Sequence, residues 1–224
     1  MSKHWERDLD NLQRHLMALA ASVEEAIFKG TRALQERNAA LAEEVIAGDS
    51  LIDQEENYVE NECLKMLALH QPVAIDLRRI IAALKINTDL ERMADLAVNI
   101  AERAAFLARL PPVEVPPQVQ HMADLTTAMV RQSLDAFVNL DPKLARRVIR
   151  FDDEVDCLNR EIIDQLMADM QATPEAIPRC MSLFSAVRHL ERIADHATNI
   201  AEDVVYLVEG EIVRHRPDAL NEPD

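Results

Sequence analysis

The sequence LERMADLAVNIAE at residues 90–102 returns almost unchanged as LERIADHATNIAE at residues 190–202. With an offset of 100 residues, 10 of the 13 positions are identical, so the chain contains an internal duplication. On a helix, at about 100° per residue, the three acids and the amide of each copy fall within roughly 80° of one another. The two signature segments therefore predict one acidic helix face in each half. The residues on these faces are Glu91, Asp95, Asn99 and Glu102, and then Glu191, Asp195, Asn199 and Glu202.

The composition favours an all-α fold and argues against several functions. Only 3 glycines and 8 aromatic residues occur in 224, a composition that favours helices over sheets. The formal net charge of −16 would repel a nucleic-acid backbone and disfavours direct docking on anionic lipid. No apolar run is long enough to span a membrane, and the N-terminal residues lack the apolar stretch of a signal peptide. We therefore expect a cytoplasmic protein that reaches a membrane only through partners. The three cysteines show no CxxC spacing, which predicts free thiols.

Apolar residues recur at helical spacing in six segments, three in each half of the chain. The first three predicted helices cover residues 5–37, 38–69 and 75–108, and the HQP at residues 70–72 interrupts them because proline cannot continue a helix. The fourth helix is outlined by Met122, Leu125, Met129, Ala136 and Phe137. The fifth begins after Asp141, which aligns with Asn38 at an offset of 103 as a second N-cap. The sixth begins near residue 174, with Pro178 distorting its first turns or moving its start, and ends near Gly210.

The proline-rich sequence PPVEVPP at residues 111–117 predicts a stiff connector between the halves. Short connections within each half make neighbouring helices antiparallel. The sequence thus predicts two tandem antiparallel three-helix bundles related by duplication. The predicted divisions are residues 1–110 for the first bundle, 111–118 for the connector, 119–210 for the second bundle and 211–224 for a partly disordered tail.

Each signature segment has a matching acidic pair on the preceding predicted helix. Ile80, Leu84 and Val98 lie within about 20° of Glu91 around the helix, so the signature acids are in line with an apolar stripe. Carboxylates four residues apart repel one another, and the repulsion grows as water is removed, so an opposite charge must offset it. The pairs are Asp49 and Asp53 in the first half and Asp152 and Asp156 in the second, which correspond at an offset of 103.

Two kinds of opposite charge fit this pattern, and the spacing favours neither. The first is a metal ion held between facing helices, for which oxygen-only ligands favour hard ions such as Mg²⁺, Ca²⁺, Mn²⁺ or Fe. His196 is a candidate additional ligand, although a histidine in such a position is more often a neutral, hydrogen-bonded side chain. The second is a network of interhelical ion pairs without metal. Its candidate arginines are Arg79, Arg92, Arg179 and Arg192.

Neither catalysis nor oxidase chemistry has support in the sequence. There is no nucleophile with a nearby base and no glycine-rich phosphate loop. A ferritin-like di-iron site requires Glu-x-x-His, and none of the seven histidines has a glutamate three residues before it. The sequence therefore predicts a protein that is not an enzyme.

The motifs resemble those of the PhoU family, the accessory proteins of phosphate transport. The resemblance covers nearly the whole chain to about residue 210. It is most specific at QPVAIDLRRI, residues 71–80, which leads into the first signature segment, and at HLERIADHATNIAEDVVY, residues 189–206.

The resemblance implies more than the residues alone predict. It implies two bundles with pseudo-two-fold symmetry and metal clusters, drawn from Fe, Mn, Mg, Zn or Ca, at Glu/Asp-x-x-x-Asp motifs. It also implies a homodimer that links the phosphate ABC transporter ATPase to a sensor histidine kinase and holds the phosphate-starvation response off when phosphate is plentiful. The alternative is a helical adaptor or chaperone of the same fold that serves another transporter or stress pathway. The implied metal ligands are Asp49, Asp53, Glu91, Asp95, Asp152, Asp156, Glu191 and Asp195, with Asn99, Glu102, Asn199 and Glu202 as secondary ligands.

Overall fold

The computed structural model describes residues 3–112 and 115–210. Within these ranges the chain forms six α-helices and one short 3-10 turn, at Pro174–Ala176, and no strand, which confirms the predicted all-α fold. No helix in the described part is both long enough and apolar enough to cross a membrane. The tail predicted at residues 211–224 lies outside the described residues. The helices are α1 (Lys3–Glu36), α2 (Ala39–His70), α3 (Ala74–Ala108), α4 (Pro117–Asn139), α5 (Pro142–Ala172) and α6 (Ile177–Glu209).

Several helices begin or end at the capping residues, prolines and glycines that the sequence places there. The side chain of Asn38 accepts a hydrogen bond from the backbone N–H of Leu41 at 3.1 Å, and Asp141 caps α5 in the same way. Pro178 occupies the second position of α6, where its missing N–H removes no intrahelical bond. At the other end of α6, Gly210 takes the left-handed conformation, with φ of 77°. The main difference from the prediction is that α4 begins at Pro117 and so includes residues assigned to the connector.

The two bundles are joined mainly by packing between α3 and α6, which we call the seam. In the first bundle α3 packs against α1 and α2, and in the second α6 packs against α4 and α5, while α1 also contacts α4. The two seam helices run antiparallel, because Arg78 near the start of α3 reaches the backbone oxygen of Tyr206 near the end of α6. Both seam helices carry fully buried side chains, such as Ile100 and Ile200.

The contact between α1 and α3 depends on a glycine. A Cβ atom placed on Gly30 would lie 3.1 Å from the backbone oxygen of Ala97, tighter than ordinary van der Waals contact. Gly48 on α2 differs, since a Cβ atom there would meet nothing within 4 Å. The two glycines therefore have opposite consequences for stability.

We expect Gly30→Val to lower the free energy of unfolding by about 1–3 kcal/mol, because the larger side chain pushes α1 away from α3. The matched control, Gly48→Ala, should raise it by about 0.5–1 kcal/mol, because alanine restricts the unfolded chain and meets no neighbour in the folded one. Urea unfolding midpoints of the two variants measure both effects. A Gly30→Val protein as stable as the parent would show that α1 and α3 are not in close contact.

Candidate metal centres

The fold brings the first four predicted acids together between α2 and α3, a set that we call the first cluster. Asp49 and Asp53 lie one turn apart on α2, and Glu91 and Asp95 lie one turn apart on α3. Burial raises the pKa of Asp49, and the charges of Asp53 and Asp95 raise it further. Burial also raises the pKa of Glu91, to which Asp95, Asp53 and Asp49 add, while Arg92 opposes the rise. The acids of the two helices are therefore close enough to repel one another.

The second cluster repeats this arrangement between α5 and α6. Burial raises the pKa of Asp152 to about 6, with contributions from the charges of Asp195 and Asp156, although the nearby Thr198 hydroxyl opposes the rise. Burial likewise raises the pKa of Glu191 and of Asp195, and the charge of Asp156 contributes to both. The duplication seen in the sequence is thus also a duplication of the electrostatic environment.

Arginine compensates only part of the negative charge, and it does so from within each signature helix. Arg92 lies 3.4 Å from Glu91 and 3.6 Å from Asp95, and both contacts join residues of α3. In the second half the ion-pair partner of Glu191 is Arg188, at 2.7 Å, which was not among the candidate arginines. Across residues 3–112 and 115–210, no arginine ion pair connects the two acidic sets of either cluster. The interhelical arginine network is therefore not formed in this conformation.

The donor chemistry of both clusters fits a hard cation. The Oδ1 atom of Asp49 and the Oε2 atom of Glu191 are buried without a hydrogen-bond partner, an arrangement that is costly unless something else binds them. In the described part of the chain, no three histidine, cysteine, aspartate or glutamate side chains converge closely enough to hold a metal ion as they stand. A bound cation would have to draw the facing carboxylates together. That change requires rotation of side chains such as Asp53 and Asp156, which are exposed.

The predicted secondary ligands lie next to these acids. The side-chain amide of Asn99 donates to the backbone oxygen of Asp95 at 2.8 Å, which leaves its own oxygen available. Glu102 contacts Arg103 at 3.4 Å, one turn further along α3. The equivalent residues of α6, Asn199 and Glu202, are half-buried.

His196, the candidate additional ligand, is engaged elsewhere in the structure. Its Nδ1 atom lies 2.8 Å from Oδ1 of Asp89 on α3, across the seam and outside the second cluster. This matches the alternative interpretation of His196 as a hydrogen-bonded side chain.

One acid near the first cluster was missed by the sequence analysis. Burial raises the pKa of Glu56 on α2, and the charges of Glu60, Glu91 and Asp53 add to this effect. The side-chain amide of Asn87 on α3 donates to Oε1 of Glu56 at 3.0 Å and holds the carboxylate in place. Glu56 is not part of the repeated acidic pattern, because Asn159 occupies the equivalent position of the second half. Its position three residues after Asp53, within one helical turn, was the available signal.

The fold and the paired clusters define a class of protein, one built from two tandem three-helix bundles with an acidic cluster between the last two helices of each. Comparison with known proteins assigns the family. A PhoU domain matches residues 16–104 and again residues 119–204. The chain belongs to the PhoU family.

Individual relatives agree over almost the full length. The chain is similar to the phosphate-specific transport system accessory protein PhoU homolog of Aquifex aeolicus, with 45% identity over 210 residues that cover 94% of this chain and 95% of the relative. It also resembles the crystal structure of PhoU from Pseudomonas aeruginosa, with a TM-score of 0.88, 38% identity and coverage of 92% of this chain and 100% of the other. The regulatory PhoU protein of Streptococcus pneumoniae matches with a TM-score of 0.87 and 30% identity, over 93% and 99% of the two chains.

We expect the metal-free Asp152→Asn variant to be more stable than the parent near pH 7. The folded pKa of about 6 lies above the ordinary value of 3.8, so the parent loses stability as the pH rises from about 4 to about 6. Because the side chain is partly exposed, solvent screening reduces the expected gain to about 1 kcal/mol. The gain should vanish below about pH 4, where the aspartic acid is neutral in both states.

Urea unfolding of chelator-treated protein at several pH values measures this difference. Asp164→Asn, an exposed acid on the same helix, is the matched control and should show little change. A variant that is no more stable than the parent near pH 7 would mean that Asp152 is not destabilised by its surroundings.

Proposed function

We propose that this chain is a non-catalytic accessory regulator of phosphate uptake. The observation that carries the proposal is the full-length similarity to proteins named as accessory to phosphate-specific transport, combined with two acidic clusters that both halves retain. Two partly buried sets of carboxylates that repel one another have no structural benefit on their own. Their retention in both halves supports a functional role.

The proposed role of the clusters is to hold metal ions. In the first half the ligands are Asp49, Asp53, Glu91 and Asp95, with Asn99 and Glu102 as secondary ligands. In the second half they are Asp152, Asp156, Glu191 and Asp195, with Asn199 and Glu202 as secondary ligands. A bound cation, drawn from Fe, Mn, Mg, Zn or Ca, supplies positive charge that neutralises the facing carboxylates. Because the ligands of each ion come from two helices, the bound ion would link α2 to α3 and α5 to α6 in addition to their packing.

The proposed partners follow from this arrangement and from the family. A chain with a net charge of −16 favours partners with basic surfaces, and its ion-loaded clusters would present defined faces to them. The partners that we propose are the ATPase of the phosphate ABC transporter and a sensor histidine kinase, with the chain acting as a cytoplasmic homodimer. In this role the protein holds the phosphate-starvation response off while phosphate is plentiful.

We expect the protein purified without chelator to contain metal at both clusters. Glu191→Gln combined with Asp195→Asn should remove about half of the bound metal, because one of two similar clusters loses half of its main ligands. In the parent, metal at about a hundred times its Kd should raise the free energy of unfolding by about 2.7 kcal/mol for each occupied cluster, or about 5.4 kcal/mol for both. Elemental analysis and urea unfolding with and without added metal measure these effects.

The matched control for this experiment is Glu43→Gln combined with Asp164→Asn, which changes the charge equally at two exposed sites. The control should retain the full metal content. Metal content that is unaffected by the α6 double substitution, or equally reduced in the control, would place the metal elsewhere. Protein that contains no metal and is not stabilised by any of the candidate ions would contradict the metal role altogether.

Deletion of the gene should raise expression of phosphate-starvation genes in phosphate-rich medium, because the proposed repression of the starvation response is lost. A reporter fused to a phosphate-transporter promoter measures the effect, and a plasmid copy of the parent gene should reverse it. Unchanged expression would favour the alternative, an adaptor of the same fold that serves another transporter or stress pathway. The proposal has two parts, metal binding and regulation of the starvation response. The cluster variants test the first part separately, since they change the metal ligands without removing the protein.

A further inference from the structure

The two ends of the seam are related by the duplication, but their charges differ. At one end, Nζ of Lys85 on α3 lies 2.7 Å from Oδ1 of Asp203 on α6. Next to this pair, Oδ1 of Asp89 on α3 lies 2.8 Å from Nδ1 of His196 on α6. Each carboxylate at this end therefore has a basic partner across the seam.

The opposite end has the reverse composition. The duplication, at an offset of 100 residues, gives each of these four seam residues an equivalent position on the other seam helix. Both carboxylates are replaced by basic side chains, and both of their partners are replaced by uncharged ones. The replacements are Arg103 for Asp203, His189 for Asp89, Ser185 for Lys85 and Leu96 for His196. We call this group the basic end of the seam.

The basic groups at this end have unused hydrogen-bond donors and acceptors. The Nε atom of Arg103 and the Nδ1 atom of His189 are buried without a hydrogen-bond partner. The Nε2 atom of His189 lies 3.2 Å from the Ser185 hydroxyl. When that hydroxyl donates to Nε2, the neutral ring carries its proton on Nδ1, which is the unpartnered atom.

A third basic side chain adjoins this group. Arg192 follows His189 by one helical turn on α6, so the two side chains are neighbours on the helix surface. Glu102 on α3 is the nearby carboxylate. Its contact with Arg103 is long, at 3.4 Å, and joins two partly exposed neighbours in the chain, so it compensates the charge weakly.

We propose that the basic end of the seam binds a small tetrahedral oxyanion, with inorganic phosphate as the principal ligand. The guanidinium groups of Arg103 and Arg192 would supply charged donors, for which the oxygens of phosphate are suitable acceptors. The Nδ1–H group of His189 would supply a neutral donor, and Ser185 would hold the ring in that tautomer. Because the Arg103 side chain is 39% exposed, it can move to admit the anion. The site uses none of the cluster carboxylates, so it does not depend on the proposed function.

Calorimetric titration of the full chain with inorganic phosphate tests the proposal. The protein is first treated with chelator, so that phosphate cannot bind through metal, and the ionic strength is kept low because salt screens such contacts. We expect one phosphate per chain, with a Kd on the order of 1 mM or tighter. Arg103→Gln and Arg192→Gln should each weaken binding about tenfold, since each removes a charged hydrogen bond.

Two further variants distinguish loss of the site from loss of charge or of folding. Arg131→Gln removes an exposed arginine from α4, where it pairs with Glu24, and should leave phosphate binding unchanged. The double substitution Ser185→Lys with Arg103→Asp rebuilds the ion pair found at the other end of the seam. This variant should fold, as measured by urea unfolding, and should no longer bind phosphate.

Three results would overturn the proposal. The first is the absence of binding by the metal-free protein up to about 10 mM phosphate, a concentration well above the expected Kd. The second is an equal loss of affinity in Arg131→Gln, which would indicate a general charge effect. The third is binding that appears only after metal is added, which would assign the phosphate to the acidic clusters.

Discussion

The antiparallel packing of α3 on α6 is the contact on which the rest of the structure depends. Ion pairs join the two helices, from Lys85 to Asp203 and from Asp89 to His196, and both helices carry many fully buried apolar side chains. Because α1 and α2 pack on α3, and α4 and α5 pack on α6, the seam fixes the relation between the bundles. It also fixes the relation between the acidic clusters, since each signature segment is part of a seam helix. A change at the seam would therefore reach both clusters at once.

The two clusters retain an electrostatic cost that the fold does not remove. Half-buried carboxylates on facing helices raise one another's pKa values, and the arginines present, Arg92 and Arg188, compensate from within their own helices. Burial of apolar side chains on the two signature helices, such as Leu90 and Leu190, contributes stability that offsets this unfavourable arrangement. Unfavourable charge placement that persists in a stable fold is typical of binding sites. In this chain it is present twice.

The duplicated halves differ at several positions that contact polar groups of a neighbouring helix. Asn87 holds Glu56 in the first half, whereas Asn159 and Val187 occupy the corresponding positions of the second half. Along the seam, Asp89 of the first copy becomes His189 of the second. Gene duplication gives two equal halves at first, but residues at a contact between the halves experience different surroundings and are free to diverge. The acidic clusters lie within each half, and there the two copies have kept the same residues.

The sequence by itself determined the helices, most of their ends and the membership of the two acidic sets. Those features follow from local spacing and from the chemistry of single residues such as Asn38, Asp141 and Pro178, which act within one turn of the chain. Only the tertiary structure decided which polar side chains meet. It paired Glu191 with Arg188, directed His196 to Asp89 across the seam, and brought Glu56 next to the first cluster. These choices depend on the rotation and register of one helix against another, which are set by the packing of many apolar side chains at once and are therefore not encoded in any short stretch of sequence.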